Sequence, residues 1–228
     1  IVASYRVAAE IMTDPMTVRT NLLAIPGIRD PYITDYAADL NKDYSMSMYV
    51  MDIPNYDESG NRLFDDSSAR PGVQKTSEEF ARRTVDNNYA ATYFPDVFIT
   101  DEQNGGRNVK VPSSISAIGA LAFNDSVAYP WFAPAGFNRG ALGFVKNVST
   151  RLTTGDRDEL YDARINPIAT FPGGDFVIFG QKTLQITKSA LDRVNVRRMM
   201  LELKRQVISI ADRLLFEQNN QATRDRFI

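Results

Sequence analysis

Apolar and polar positions change period several times along this chain. Residues 14–31 read DPMTVRTNLLAIPGIRDP; the apolar centre Leu22–Ile25 stops at Pro26 and Gly27, as a short buried strand does before a turn. Asp30 followed by Pro31 suits a helix start, because the carboxylate can cap the first free N–H groups and proline has none to leave unpaired. Ile33, Tyr36, Ala37 and Leu40 continue at helical spacing, and MSMYVMDIP (46–54) returns to a strand run that Pro54 closes. Strand, helix and strand in this order predict a βαβ unit in a covered, partly parallel sheet.

Residues 55–75 turn polar around Gly60, Pro71 and Gly72, which predicts a mobile surface excursion with Asp65 and Asp66 as solvated charges. Thr76 and Glu79 have capping-box spacing for a helix through about Asp86. YAATYFPDVFIT (89–100) is rich in aromatic and β-branched residues, and Pro95 predicts an edge strand or a break there. Gly105 and Gly106 mark a turn, Pro112 opens an apolar helix through Ile115, Ile118 and Leu121, and residues 139–153 read as extended. GDRDELYDARI (155–165) predicts a helix with acids in its first turn, and DFVIFGQKTLQI (175–186) is the strongest strand candidate. In the last helix Val196, Met199, Leu203, Val207, Ile210 and Leu214 recur at helical spacing, which predicts a buried face, with Arg197 and Arg198 on the solvated one. The fold class is α/β (α+β mixed): a mixed β-sheet covered by helices.

The stretch YPWFAPAGFNRGAL (129–142) is unusual, placing Trp131, Phe132 and Phe137 between prolines and next to Arg139 and Gly140. Three readings compete. In the first, the aromatics pack on the sheet while prolines restrain the turn. In the second, Trp131, Phe137 and Arg139 face another protein, and Arg197 and Arg198 could supply one side of an interface salt bridge. A small-molecule pocket is the third and least favoured.

Composition narrows the chemistry. The chain has 228 residues, no cysteine and no histidine, which removes disulfides, thiolate sites, catalytic triads and most zinc or iron sites. A formal charge of −2 gives no electrostatic reason to expect nucleic acid or an anionic membrane as partner. Asp156, Asp158, Glu159 and Asp162 could imitate a paired-carboxylate site, but the start of an amphipathic helix is where such acids sit for electrostatic reasons alone. The glycine pair Gly173-Gly174 lacks the lysine and hydroxyl of a phosphate loop and leads into a strand, so it reads as a turn. We therefore expect no catalytic residue, no cofactor and no metal. Methionines 46, 48, 51, 199 and 200 read as core filling.

The larger motifs resemble the C-terminal half of contractile tail sheath proteins. YAATYFPDV (89–97), the proline-started helix at 111–122, Trp131, APAG (133–136) and Arg139-Gly140 follow that family's order. INPIATFPGGDFVIFGQKTL (165–184) and NVRRMMLELKRQVISIADRLLFEQN (195–219) are similar to two further family segments. FPGGD and VIFGQKTL depart from the commoner versions of their segments, which bears on subfamily and not on family.

The resemblance implies a structural subunit, not an enzyme, that polymerises around a tail tube and contracts to drive the tube through the host envelope. It implies other sheath subunits as partners, joined by terminal strand exchange, together with the tail tube protein, the baseplate and the tail terminator, and no nucleic acid or membrane. The location implied is the virion tail, assembled in the host bacterial cytoplasm. On this basis residues 1–87 form an α/β portion with a mobile loop at about 55–75, and residues 88–228 the C-terminal sheath domain. The polypeptide is expected to continue, with outer domains before Ile1 and an arm after Ile228. Removal of such arms predicts an open sheet edge near 175–186. Two alternatives remain: the sheath of a related injection device (secretion system or bacteriocin), and an α/β ligand-binding enzyme domain.

Overall fold

A five-stranded sheet organises the computed structural model, which describes residues 1–64, 67–173 and 175–227. Asp65, Asp66, Gly174 and Ile228, singled out above, lie outside the described residues. The chain begins with α1 (Val2–Met12), β1 (Leu22–Ala24), α2 (Pro31–Tyr44) and β2 (Met48–Met51). A hairpin of β3 (Asn55–Tyr56) and β4 (Arg62–Leu63) precedes α3 (Val73–Arg82). Next come β5 (Ala90–Phe94), β6 (Val97–Asp101), β7 (Arg107–Val111) and α4 (Ser113–Val127). β8 (Val145–Val148), α5 (Thr154–Asp162), β9 (Ile165–Thr170) and β10 (Phe176–Ile178) follow. A 3-10 turn at Ala190–Asp192 then leads to the long α6 (Val194–Ala211) and the short α7 (Gln221–Phe227).

The main sheet runs β1-β2-β5-β9-β10, parallel through β9, with β10 antiparallel on the edge. The expected βαβ unit is there: Leu22 pairs with Met48, and Asp30 caps α2 by accepting from the Tyr32 N–H at 2.9 Å. β2 and β5 are buried on both faces, as strands of a sheet covered on both sides must be. Their side chains alternate between two cores. Met48, Val50, Ala91 and Tyr93 meet Ala117 and Leu121 of α4 and Val194 and Leu201 of α6. Tyr49, Met51, Ala90 and Phe94 meet Ala37 of α2, Phe80 of α3 and Leu160 of α5. α1 lies outside this frame against α2, where the Tyr36 hydroxyl donates to Glu10 at 2.5 Å; no reading of the sequence above assigned this helix.

Two buried carboxylates tie the layers. Asp52, just past β2, accepts from the Gly27 N–H (2.9 Å) and from the Ser114 N–H (3.1 Å) and hydroxyl (2.7 Å) at the start of α4. A negative charge at a helix N-terminus is favourably placed, yet burial pushes the Asp52 carboxyl above its ordinary value despite those hydrogen bonds. Asp96 accepts from Arg29 Nη2 at both carboxylate oxygens (2.9 and 2.8 Å) and from Asn55 Nδ2 (3.2 Å).

β2 pairs directly with β5, so the main sheet continues across residues 87 and 88. Several expectations are corrected. Asn55 and Pro71 at the ends of the 55–75 excursion are buried, and α3 starts at Val73 with Gly72 as its N-cap, ahead of the Thr76–Glu79 box. Thr76 is inside that helix, and its hydroxyl accepts from the Tyr56 N–H at 3.2 Å. The break at Pro95 is real, but both resulting strands are central: β5 in the main sheet, β6 between β7 and β8 in a second sheet. The strand expected over 175–186 covers only Phe176–Ile178. Beyond it Gly180 lies so close to Asn166 and Pro167 that a Cβ would come within 3.0 Å of both, and the chain leaves the ladder.

Candidate interaction surface

The turn at 129–142 is built by backbone bonds to β10. Gly136 N–H donates to the Ile178 carbonyl (2.9 Å), Ile178 N–H to Gly140 (2.8 Å), and Leu142 N–H to Phe176 (2.8 Å), while Ala141 bridges to Val177. The free edge expected near 175–186 is therefore covered by the chain's own 136–142 segment. Glycine is required twice in that segment. Gly136 has φ +80°, where a side chain is strained, and a Cβ on Gly140 would sit 2.7 Å from the Ala135 Cα.

That course turns the aromatics outward. Trp131 is 38% exposed and stacks on Tyr129 at 4.6 Å with the rings 2° from parallel. Phe132 lies beside Tyr129, and the Arg139 guanidinium sits 5.1 Å over the Phe132 ring while its Nε donates to the Ala133 carbonyl (3.1 Å). Phe137, 55% exposed, meets Phe171 edge-on at 4.9 Å, and Phe171 meets Phe179 at 5.1 Å. Core packing is thus the wrong reading for Trp131 and Phe137. They, with Arg139, form surface aromatic–arginine clusters of the kind interfaces favour.

Arg197 and Arg198 are corrected in the opposite direction: they are only 7% and 5% exposed. Arg197 stacks 4.6 Å over the Tyr89 ring, and Arg198 pairs with Asp125 of α4 at 2.5 Å. Val194, Arg197, Arg198 and Leu201 are the face of α6 turned to the body, so the arginines' aliphatic stems cover the core. Of the stripe expected to be buried, Leu203, Val207 and Ile210 are each more than one-third exposed, while Val196, Met199 and Leu214 are half-buried. The α6 N-terminus still adjoins the aromatic turn, where Asn195 Nδ2 donates to the Trp131 carbonyl at 3.4 Å.

Sequence reasoning missed the groove beside this turn. α5 presents Thr154, Arg157, Asp158 and Tyr161 along one wall at helical spacing, and Phe179, Gln181 and Arg193 form the other. The Arg157 guanidinium sits over a pair of adjacent rings, 5.3 Å from the Phe171 centroid and 5.5 Å from that of Phe179. Arg193 donates to the Tyr161 hydroxyl, and Lys182 sits 3.5 Å over the Tyr161 ring, where burial lowers its ammonium below the ordinary lysine value. The predicted acids Asp156 and Glu159 are used locally: Asp156 completes a capping box with Thr153, and Glu159 accepts from the Ser77 hydroxyl (2.7 Å). Among the described residues no three acidic side chains converge as metal ligands, and no helix is long and apolar enough to cross a membrane.

No family model matches the chain. The tail sheath protein of Vibrio phage KVP40 is 40% identical over 143 residues, covering 63% of this chain and 20% of that protein. The tail sheath protein of Enterobacteria phage T4 is 37% identical over 117 residues, or 51% of this chain and 18% of that one. The chain thus spans about a fifth of the length of these curated relatives. In fold, it is similar to the sheath of the extracellular contractile injection system PVC in its contracted state. The TM-score is 0.71 at 22% identity, over 99% of this chain and 61% of that one. The motifs running from Tyr89 to the end of α6 and the sheet that carries them thus lead to one conclusion: the chain belongs to the tail sheath protein family.

Proposed function

We propose that the protein is a structural subunit of a contractile tail sheath, which polymerises around a tail tube and drives it through the host envelope on contraction. The observation that carries this reading is the 40% identity to the KVP40 tail sheath protein over 143 residues. Its partners are other sheath subunits, which exchange terminal strands, along with the tail tube, the baseplate and the tail terminator. It acts in the virion tail after assembly in the host cytoplasm. A heterologous contact that does not close on itself generates a helical tube of this kind. The exposed cluster of Trp131, Phe137 and Arg139 is the surface offered to a neighbouring subunit or to the tube. Arg197 and Arg198 serve from the buried face of α6, holding it against Tyr89 and against Asp125 of α4.

The fold likeness to the PVC sheath favours a second reading, the sheath of a related injection device. Electron microscopy of the full-length protein expressed alone tests the class: regular tubes are expected, and a dispersed monomer at high concentration would reject it. Neighbouring genes for a capsid separate phage tail from injection device.

A further inference from the structure

The turn that joins β6 to β7 brings a side-chain amide and a free backbone N–H together at the surface. Of the asparagines in the chain only Asn104 is followed by glycine. Residues 102–106 are all exposed, and Gly105 and Gly106 have φ of +78° and +71°. The Gly106 N–H closes the turn by donating to the Asp101 carbonyl at 2.9 Å. Among the described residues the Gly105 N–H has no acceptor, and a Cβ on Gly105 would meet nothing within 4 Å.

An asparagine amide reacts when the next backbone nitrogen, once ionised, attacks its Cγ. Folded chains block that step in two ways: the next side chain crowds the approach, or a hydrogen bond holds the N–H. Gly105 offers neither obstacle. What does restrain Asn104 is Asp101, whose carboxylate accepts from Asn104 Nδ2 at 2.6 Å and from the N–H groups of Gln103 (3.2 Å) and Asn104 (3.3 Å). These bonds, the Asn104 amide first, hold the Asp101 carboxyl below its ordinary value, so it is ionised at neutral pH. At an exposed site such a bond exchanges with water, and it slows the reaction relative to a free peptide by no more than about tenfold.

We propose that Asn104 is a site of spontaneous deamidation in the folded chain, with water as the co-reactant. Hydroxide takes the Gly105 N–H proton, the nitrogen bonds to Asn104 Cγ, and the Cγ–Nδ2 bond breaks, with ammonia leaving on protonation. The resulting succinimide adds water at one of its two carbonyl carbons. Breaking the new Cγ–N bond gives aspartate, and breaking the original peptide C–N bond gives isoaspartate. Either product puts a carboxylate where the Nδ2 donor was, so two like charges replace the clasp on Asp101. Isoaspartate also lengthens the backbone next to Asp101 and Arg107, the ladder pair nearest the turn, and the end of the hairpin loosens. This chemistry stands apart from the sheath reading and survives or fails without it.

The 228-residue chain and the peptide acetyl-Glu-Gln-Asn-Gly-Gly-Arg-amide are held side by side in warm, mildly alkaline buffer. Samples are digested and mapped by mass spectrometry, and isoaspartate is labelled with an isoaspartyl methyltransferase. Conversion is expected at Asn104 before any other asparagine, at a rate proportional to hydroxide and within about tenfold of the peptide's. Asn104→Gln keeps an amide in the turn but needs a six-membered ring, so conversion there should stop. In the converted chain the amide signals of residues 101–107 are expected to move while distant ones stay. First conversion at another asparagine, absence of isoaspartate, or a rate more than about tenfold below the peptide's would overturn the proposal. Unmoved 101–107 signals would overturn the loosening of the hairpin.

Discussion

Replacing Gly140 by alanine, with Gly143→Ala as its control, tests how the aromatic turn is held. A Cβ at position 140 would lie 2.7 Å from the Ala135 Cα and 2.9 Å from both the Ala135 carbonyl carbon and the Gly136 nitrogen. All three are backbone atoms, which cannot rotate away as a side chain would. Relief requires the 135–140 loop to open, and that stretches the Gly140 N–H bond to Gly136 (2.8 Å) and the Ile178 N–H bond to Gly140 (2.8 Å). Overpacking of this kind costs about 1–3 kcal/mol, and in a chain of this size 1 kcal/mol moves Tm by roughly 2–4 °C. Gly140→Ala is therefore expected to lower Tm by roughly 4–8 °C for a cost of about 2 kcal/mol. A Cβ on Gly143 meets nothing within 4 Å, so Gly143→Ala should leave Tm within about 1 °C. Thermal melts followed by circular dichroism, with urea midpoints as a second reading, make the comparison. Equal melting of the two variants would refute the claim that close backbone approach is what requires glycine after Arg139.

Leu160→Ala, at a fully buried position of α5, should cost about 2–5 kcal/mol in urea unfolding. Leu203→Asp, 48% exposed on the outer stripe of α6, should change stability by no more than about 0.5 kcal/mol; outright unfolding would return that stripe to the core. The Asp52 carboxyl should titrate above the ordinary aspartate range in a carbon-detected NMR titration. The raised folded value means the folded state keeps a proton that the unfolded state has lost, so Asp52 makes stability fall as pH rises from the unfolded to the folded pKa. An Asp52 titration below the ordinary range would mean that the Ser114 and Gly27 bonds outweigh burial.

Local chemistry was legible where one residue decides the outcome. Asp30-Pro31 announces α2, Pro112 announces α4, and the acids of 155–162 announce α5, because capping and proline geometry depend on adjacent residues alone. Orientation was not legible in α6. A hydrophobic stripe marks the buried side only if long polar residues stay outside, and here Arg197 finds Tyr89 and Arg198 finds Asp125, groups distant in sequence. Trp131 was misjudged for a related reason: its exposure follows from the bonds of Gly136 and Gly140 to Ile178, and no periodicity records those. The groove escaped notice because Arg157, Phe171 and Phe179 sit on three segments that only the fold assembles.

The parallel pairing of β5 with β9 also sets an order of events during folding. Thr92 pairs with Ile165, and β6, β7, α4, β8 and α5 all lie between them in the chain. Closing that loop costs about 1 kcal/mol more in chain entropy than bringing Leu22 to Met48, at about 0.6 kcal/mol per doubling of length. The β1-β2-β5 half of the sheet can thus assemble first, with one edge of β5 still bare. On a ribosome adding about 5–20 residues per second, that edge waits roughly 4–15 s for β9 to be made. A bare parallel edge invites pairing with another nascent chain. Those seconds are the interval in which aggregation competes with folding.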